Sequence, residues 1–154
     1  MRTRLSGRQA VLYGALAVGT LDALDAIVFF GLRSGARPIR IFQGIASGLL
    51  GPAARQGGLK TADLGLVLHY FIAFGIVVTY FLASRRVRLL TRRPLLCGLL
   101  YGVAVYGVMN LVVIPLSRIG GPNMPALPVL ANGLLIHMFG VGLPAALFAR
   151  AARA

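Results

Sequence analysis

The sequence predicts an all-α integral membrane bundle of four spans, and three observations carry that expectation. Of 154 residues, 58% are hydrophobic and only 12% charged, against about 45–50% and about 25% in soluble domains. Four mainly apolar runs reach the roughly 20 residues that a spanning helix needs. Basic residues gather in short clusters between those runs. With a mean hydropathy of +0.83, this composition excludes soluble enzymes and disordered tails. The net charge of +13 would suit a nucleic-acid binder, but such a protein lines a polar face with its cations. The lipid bilayer, not nucleic acid, is the expected partner.

The first span runs from about Ala10 to Leu32, the second from Leu64 to Leu82, the third from Leu95 to Ser117 and the fourth from Leu127 to Phe148. All are near the minimum length, so residues 1–154 form one compact domain. Arg2, Arg4 and Arg8 precede the first span, Arg85, Arg86, Arg88, Arg92 and Arg93 fill the second loop, and Arg150 and Arg153 follow the fourth span. Those are ten basic residues on one side, against six (Arg33, Arg37, Arg40, Arg55, Lys60 and Arg118) on the other. The excess places both termini in the cytoplasm. The cluster from Arg85 to Arg93 sets topology and attracts anionic lipid at the membrane surface. The first run is no cleaved leader, because it is too long and carries Asp22 and Asp25.

The first outer loop holds a short helix that opens at Pro38 and ends at Gly51-Pro52. Phe42, Ile45, Ala46, Leu49 and Leu50 recur at helical spacing, and Gly44, Ser47 and Gly48 form a small face. It either lies in the membrane interface or re-enters toward a central cavity. Arg37 and Arg40 favour the interface. Thr61 and Asp63 have the chemistry of a cap and first-turn charge for the second span. Tyr13 and Tyr101 suit interfacial anchoring, and Pro115 and Pro144 mark kinks or ends.

The chain contains an internal echo. Tyr13-Gly14, Gly19 and Asp22 recur at identical spacing as Tyr101-Gly102, Gly107 and Asn110. The segment from Gly65 through His69 to Phe71 matches that from Gly133 through His137 to Phe139. The expected architecture is therefore two parallel helical-hairpin repeats, about 10–82 and about 95–148, with the short helix as an insertion in the first.

Ionisable groups at mid-span cost at least about 2.5–3.5 kcal/mol and mark function by default. Asp22 and Asp25 share a helix face, so one of them needs a proton, a partner or a cation. Span boundaries place Asp22, Asp25, His69, Asn110 and His137 as one polar layer in the outer half of the bundle. Such a layer can relay protons, bind a cation, or simply hold helices together. His69 and His137 could hold haem or a divalent metal, although no compact ligand motif is present. No cofactor is expected. The single Cys97 allows no disulfide, and no Ser-His-Asp arrangement, phosphate loop or dinucleotide fingerprint argues for an enzyme.

Two stretches resemble a known family. One is Gly65 to Tyr80, with His69, Phe71 and Phe74; the other runs from Gly98-Leu99-Leu100-Tyr101-Gly102 through Pro115-Leu116 and Leu127-Pro128 to His137. They are similar to a family of small bacterial inner-membrane proteins (YagU-like) linked to acid resistance. The resemblance implies a bacterial plasma-membrane location and a role in tolerating low pH. It carries over His69 and His137, accepts a polar residue at Asn110, and does not include Asp22 or Asp25. Three functions stay open at this point: a channel- or transporter-like protein for protons, ions or a small solute; an accessory subunit of a larger complex or homo-oligomer; and a haem- or metal-binding redox protein.

Overall fold

A computed structural model of the chain describes residues 5–120 and 125–153. Arg2 and Arg4, counted above for topology, lie outside the described residues. The elements are α1 (Gly7–Ser34), α2 (Pro38–Leu50), a 3-10 turn (Pro52–Gln56), α3 (Gly58–Arg86), α4 (Leu89–Arg92), α5 (Pro94–Leu116) and α6 (Leu127–Ala151). Helices α1, α3, α5 and α6 have 28, 29, 23 and 25 residues, and each holds an 18-residue stretch of mean hydropathy 1.6 to 2.1, long and apolar enough to cross a membrane. The molecule is a multi-span membrane protein.

Helices α1, α3 and α6 are longer than the apolar windows, because hydropathy stops at charge while the backbone does not, and α5 matches its window in length. Helix α1 starts on a reciprocal capping box. Ser6 Oγ accepts the Gln9 N–H at 3.2 Å and Gln9 Oε1 accepts the Ser6 N–H at 2.9 Å. It ends at Gly35, whose φ of 65° lets the chain turn away. Helix α3 runs on through Arg85 and Arg86. At about 1.5 Å per residue it is about 44 Å long, so its ends project beyond a hydrocarbon core of about 30 Å. Its N-cap is Gly57, not Thr61, and no acidic residue lies in its first turn. Thr61 instead donates to the Ala54 carbonyl at 2.7 Å, tying the 3-10 turn to α3.

Helix α1 packs between α3 and α6, α5 packs on α6, and α2 packs on α3. The solid core occupies one half only. It is built from Ala15 and Val18 of α1, Ala73 and Val77 of α3, Val105 of α5, and Ala145, Ala146 and Ala149 of α6. Three of the helix ends nearest this core are tied together: Leu5 N–H, just before α1, donates to the Ala151 carbonyl of α6 at 3.3 Å, and Arg153 Nη2, just after α6, to the Arg85 carbonyl of α3 at 2.7 Å. Arg85, Arg86, Arg88, Arg92 and Arg93 are exposed there. Tyr101 is not an interfacial anchor; its hydroxyl points inward and donates to the Ile76 carbonyl of α3 at 2.7 Å. Small residues set the α5–α6 spacing, since a Cβ at Gly102 would overlap the His137 carbonyl. Such close approach replaces the hydrophobic drive that helices in lipid lack.

Two of the spans are not uniform α-helix. Met109–Val113 in α5 and His137–Gly142 in α6 are π-helical, with Ile114 N–H bonded to the Met109 carbonyl and Leu143 N–H to that of Met138. Each segment ends two residues before a proline, Pro115 or Pro144. A proline cannot donate and crowds the carbonyl four residues back, and the wider turn relieves both problems. Pro144 therefore neither ends nor breaks its helix, which continues to Ala151.

Helix α2 is seated, not loose. Gln43, Ala46 and Ser47 are buried, and Gln43 Nε2 donates to the Gly58 carbonyl at 2.9 Å. Gly65 of α3 admits the Phe42 backbone where any Cβ would collide with it. At the far end, Arg118 N–H donates to the Gly48 carbonyl at 2.9 Å, and Gly51 at φ 77° closes the helix.

Candidate functional site

The half of the bundle away from the alanine-rich core is hollow. A cavity of about 840 Å³ is lined by residues from α1, α2, α3, α5 and α6, within the range of about 300–1,000 Å³ typical of ligand sites. Phe29, Phe30, Ile41, Ile72, Val113 and Ile136 make most of its wall apolar. Four of the five residues singled out in the sequence, Asp22, Asp25, Asn110 and His137, line it. The fifth, His69, sits behind Asp22, its Nδ1 4.0 Å from Asp22 Oδ2. The five meet because α1 brings both aspartates to one face and the two π segments carry Asn110 and His137.

The hydrogen bonds fix what each group presents. His69 Nε2 lies 2.7 Å from the Gly19 carbonyl on α1. A carbonyl only accepts, so Nε2 carries the hydrogen. Nδ1 is thus turned to Asp22, about 1 Å beyond ordinary hydrogen-bond reach. With 11% and 29% of their side chains exposed, the two sit between packed interior and cavity. Asp22 also interacts electrostatically with His137 and Asp25.

His137 is held differently. Its Nδ1 donates to the Gly133 carbonyl of its own helix at 2.9 Å, and its ring stands edge-on to Tyr106 at 5.2 Å. No described residue bonds its Nε2, which a neutral ring leaves as an acceptor. At the matched position His69 spans to a neighbouring helix instead, and the matched glycines Gly65 and Gly133 face Phe42 and Tyr106 respectively. Asn110 Nδ2 donates back to the Tyr106 carbonyl at 2.9 Å.

Sequence reasoning missed Asn132, whose Nδ2 donates to Asp25 Oδ2 at 2.7 Å across α1 and α6. A lone asparagine in an apolar run of α6 was the available signal. Tyr106, Arg40 and Arg55 also line the cavity. Among the described residues, no group of three or more His, Cys, Asp or Glu side chains is placed to hold a metal ion.

Comparison with protein-family models, with curated proteins and with solved structures finds no match for this chain. The resemblance drawn above therefore rests on its quoted motifs alone.

Proposed function

We propose that this is a channel- or transporter-like protein of a bacterial inner membrane that handles protons, ions or a small solute through the Asp22–Asp25–His69–Asn110–His137 layer. The single observation that carries the reading is the meeting of these groups at one cavity backed by a closed core. Both carboxylates lie within spans, where ionisable groups are retained for a use. Asp25 has a hydrogen-bond donor in Asn132, and Asp22 faces an imidazole, so the two carboxylates have chemically different partners. The arginine-rich end, opposite the cavity, is taken as cytoplasmic by the excess of basic residues, so the cavity opens outward. In this reading the chain is a doubled hairpin, and α2 is a re-entrant cover over the cavity, supported by its buried Gln43 and Ser47.

The test is flux in liposomes containing the purified protein, driven by a pH or cation gradient. The wild type carries flux, and Asp22→Asn abolishes it. Absence of flux under every gradient, or an Asp22→Asn variant as active as the wild type, rejects the reading.

A further inference from the structure

Beside the main cavity lies a second hollow of about 610 Å³, lined by Arg37, Arg40 and Arg55 together with Gln43 and Gln56. Arg40 and Arg55 line both spaces, so the apolar cavity has a cationic mouth. The Arg40 guanidinium is held in place, donating from Nη1 to the Arg55 carbonyl at 2.6 Å and to Gln43 Oε1 at 3.3 Å. Among the described residues no carboxylate lies within 4.0 Å of any of the three guanidiniums. The N-terminus of α2 opens at the same spot, with no side chain capping it, and adds the positive end of its dipole.

We infer that this pair of spaces binds an anionic phospholipid, its net-negative headgroup on Arg37, Arg40 and Arg55 and an acyl chain in the apolar cavity. Charge complementarity selects the headgroup, since guanidinium forks match phosphate oxygens. The continuity of the cationic mouth with an apolar wall selects an amphiphile over a free anion. Gly44 and Gly48 of α2 leave room for the chain. Both line the cavity, and a Cβ at Gly44 would meet no atom within 4 Å. The acyl chain would share the cavity that Asp22, Asp25, Asn110 and His137 line, but the inference is argued from the arginine mouth and apolar wall, and its test reads lipid binding and not flux, so either reading can fail without the other.

The test titrates detergent-solubilised full-length protein with phosphatidylglycerol, with phosphatidylcholine of identical chains, and with inorganic phosphate, reading bound lipid by native mass spectrometry and the thermal midpoint. Phosphatidylglycerol should bind about tenfold more tightly than phosphatidylcholine, and phosphate alone should leave the midpoint unmoved. The double variant Arg37→Gln with Arg55→Gln keeps the Arg55 carbonyl and the Arg40 bonds, so it should fold normally and lose the preference. Gly44→Leu should keep the arginines and weaken lipid binding about tenfold by filling the chain's space. A control pair, Arg88→Gln with Arg92→Gln at the opposite end, should leave it intact. Retention of the preference in the Arg37/Arg55 variant, its loss in the control pair, stabilisation by phosphate equal to that by lipid, or normal binding in Gly44→Leu would each overturn the proposal.

Discussion

Asn132 on α6 and Asp25 on α1, 107 residues apart in sequence, are joined by a 2.7 Å hydrogen bond at the wall of the cavity. It is a polar strut between the two helices there. Hydrogen bonds between membrane helices average about 0.6 kcal/mol, and bonds to charged groups about 1.5–3 kcal/mol. Replacing Asn132 with leucine should therefore destabilise the protein by about 1 kcal/mol, because Asp25 is left without its donor. Thermal unfolding in detergent checks this, and Asp25→Asn combined with Asn132→Leu should cost less than the two changes added separately.

The histidines should separate in their effects. His69→Gln removes the only donor reaching the Gly19 carbonyl from α3 and also the partner of Asp22, so both stability and flux should fall. His137→Gln loses a bond within its own helix, so stability should change by less than about 0.5 kcal/mol while flux falls. Equal losses of stability in the two variants would show that their different bonding does not matter.

Glycines divide by what surrounds them. A Cβ at Gly102 would overlap the His137 carbonyl and one at Gly65 the Phe42 carbonyl, whereas Gly75 and Gly107 face open space. Gly102→Ala and Gly65→Ala should cost about 1–3 kcal/mol by forcing helices apart. Gly75→Ala and Gly107→Ala should stabilise by about 0.5–1 kcal/mol through helix propensity alone. Denaturant unfolding of the four variants is the measurement.

Tyr101→Phe removes only a hydroxyl that donates to the Ile76 carbonyl. The expected loss is about 1 kcal/mol, read as a lower thermal midpoint with unchanged flux. An interfacial anchor would show no loss when measured in detergent.

The four spans were legible because hydropathy alone marks about 20 apolar residues in a row. Asp22, Asp25, His69, Asn110 and His137 were legible because polar groups in such runs are rare and costly. The helix ends were not: Ser6 with Gln9, and Arg85 with Arg86, extend the helices by capping and by backbone continuity, which hydropathy ignores. Nor were the π segments legible, since Pro115 and Pro144 announce a disturbance without saying whether the helix stops, bends or widens. Asn132 escaped notice because its importance comes from Asp25, which only the fold brings within reach. The cavity was invisible for the same reason, being a product of where five helices fail to fill space.

The π turn before Pro144 inserts one surplus residue into α6 without breaking it. Each residue advances a helix by about 100°, so everything beyond this turn is swivelled relative to what precedes it. Asn132 and His137 on the near side look into the hollow, while Ala145, Ala146 and Ala149 on the far side are pressed into the core. One continuous rod thereby presents two unrelated faces to the same neighbours. Shortening it by a single residue within His137–Gly142 would wind the alanines away from the core, and Gly142 at its end admits no larger residue either, since a Cβ there would overlap the Gly98 carbonyl and the Gly102 backbone.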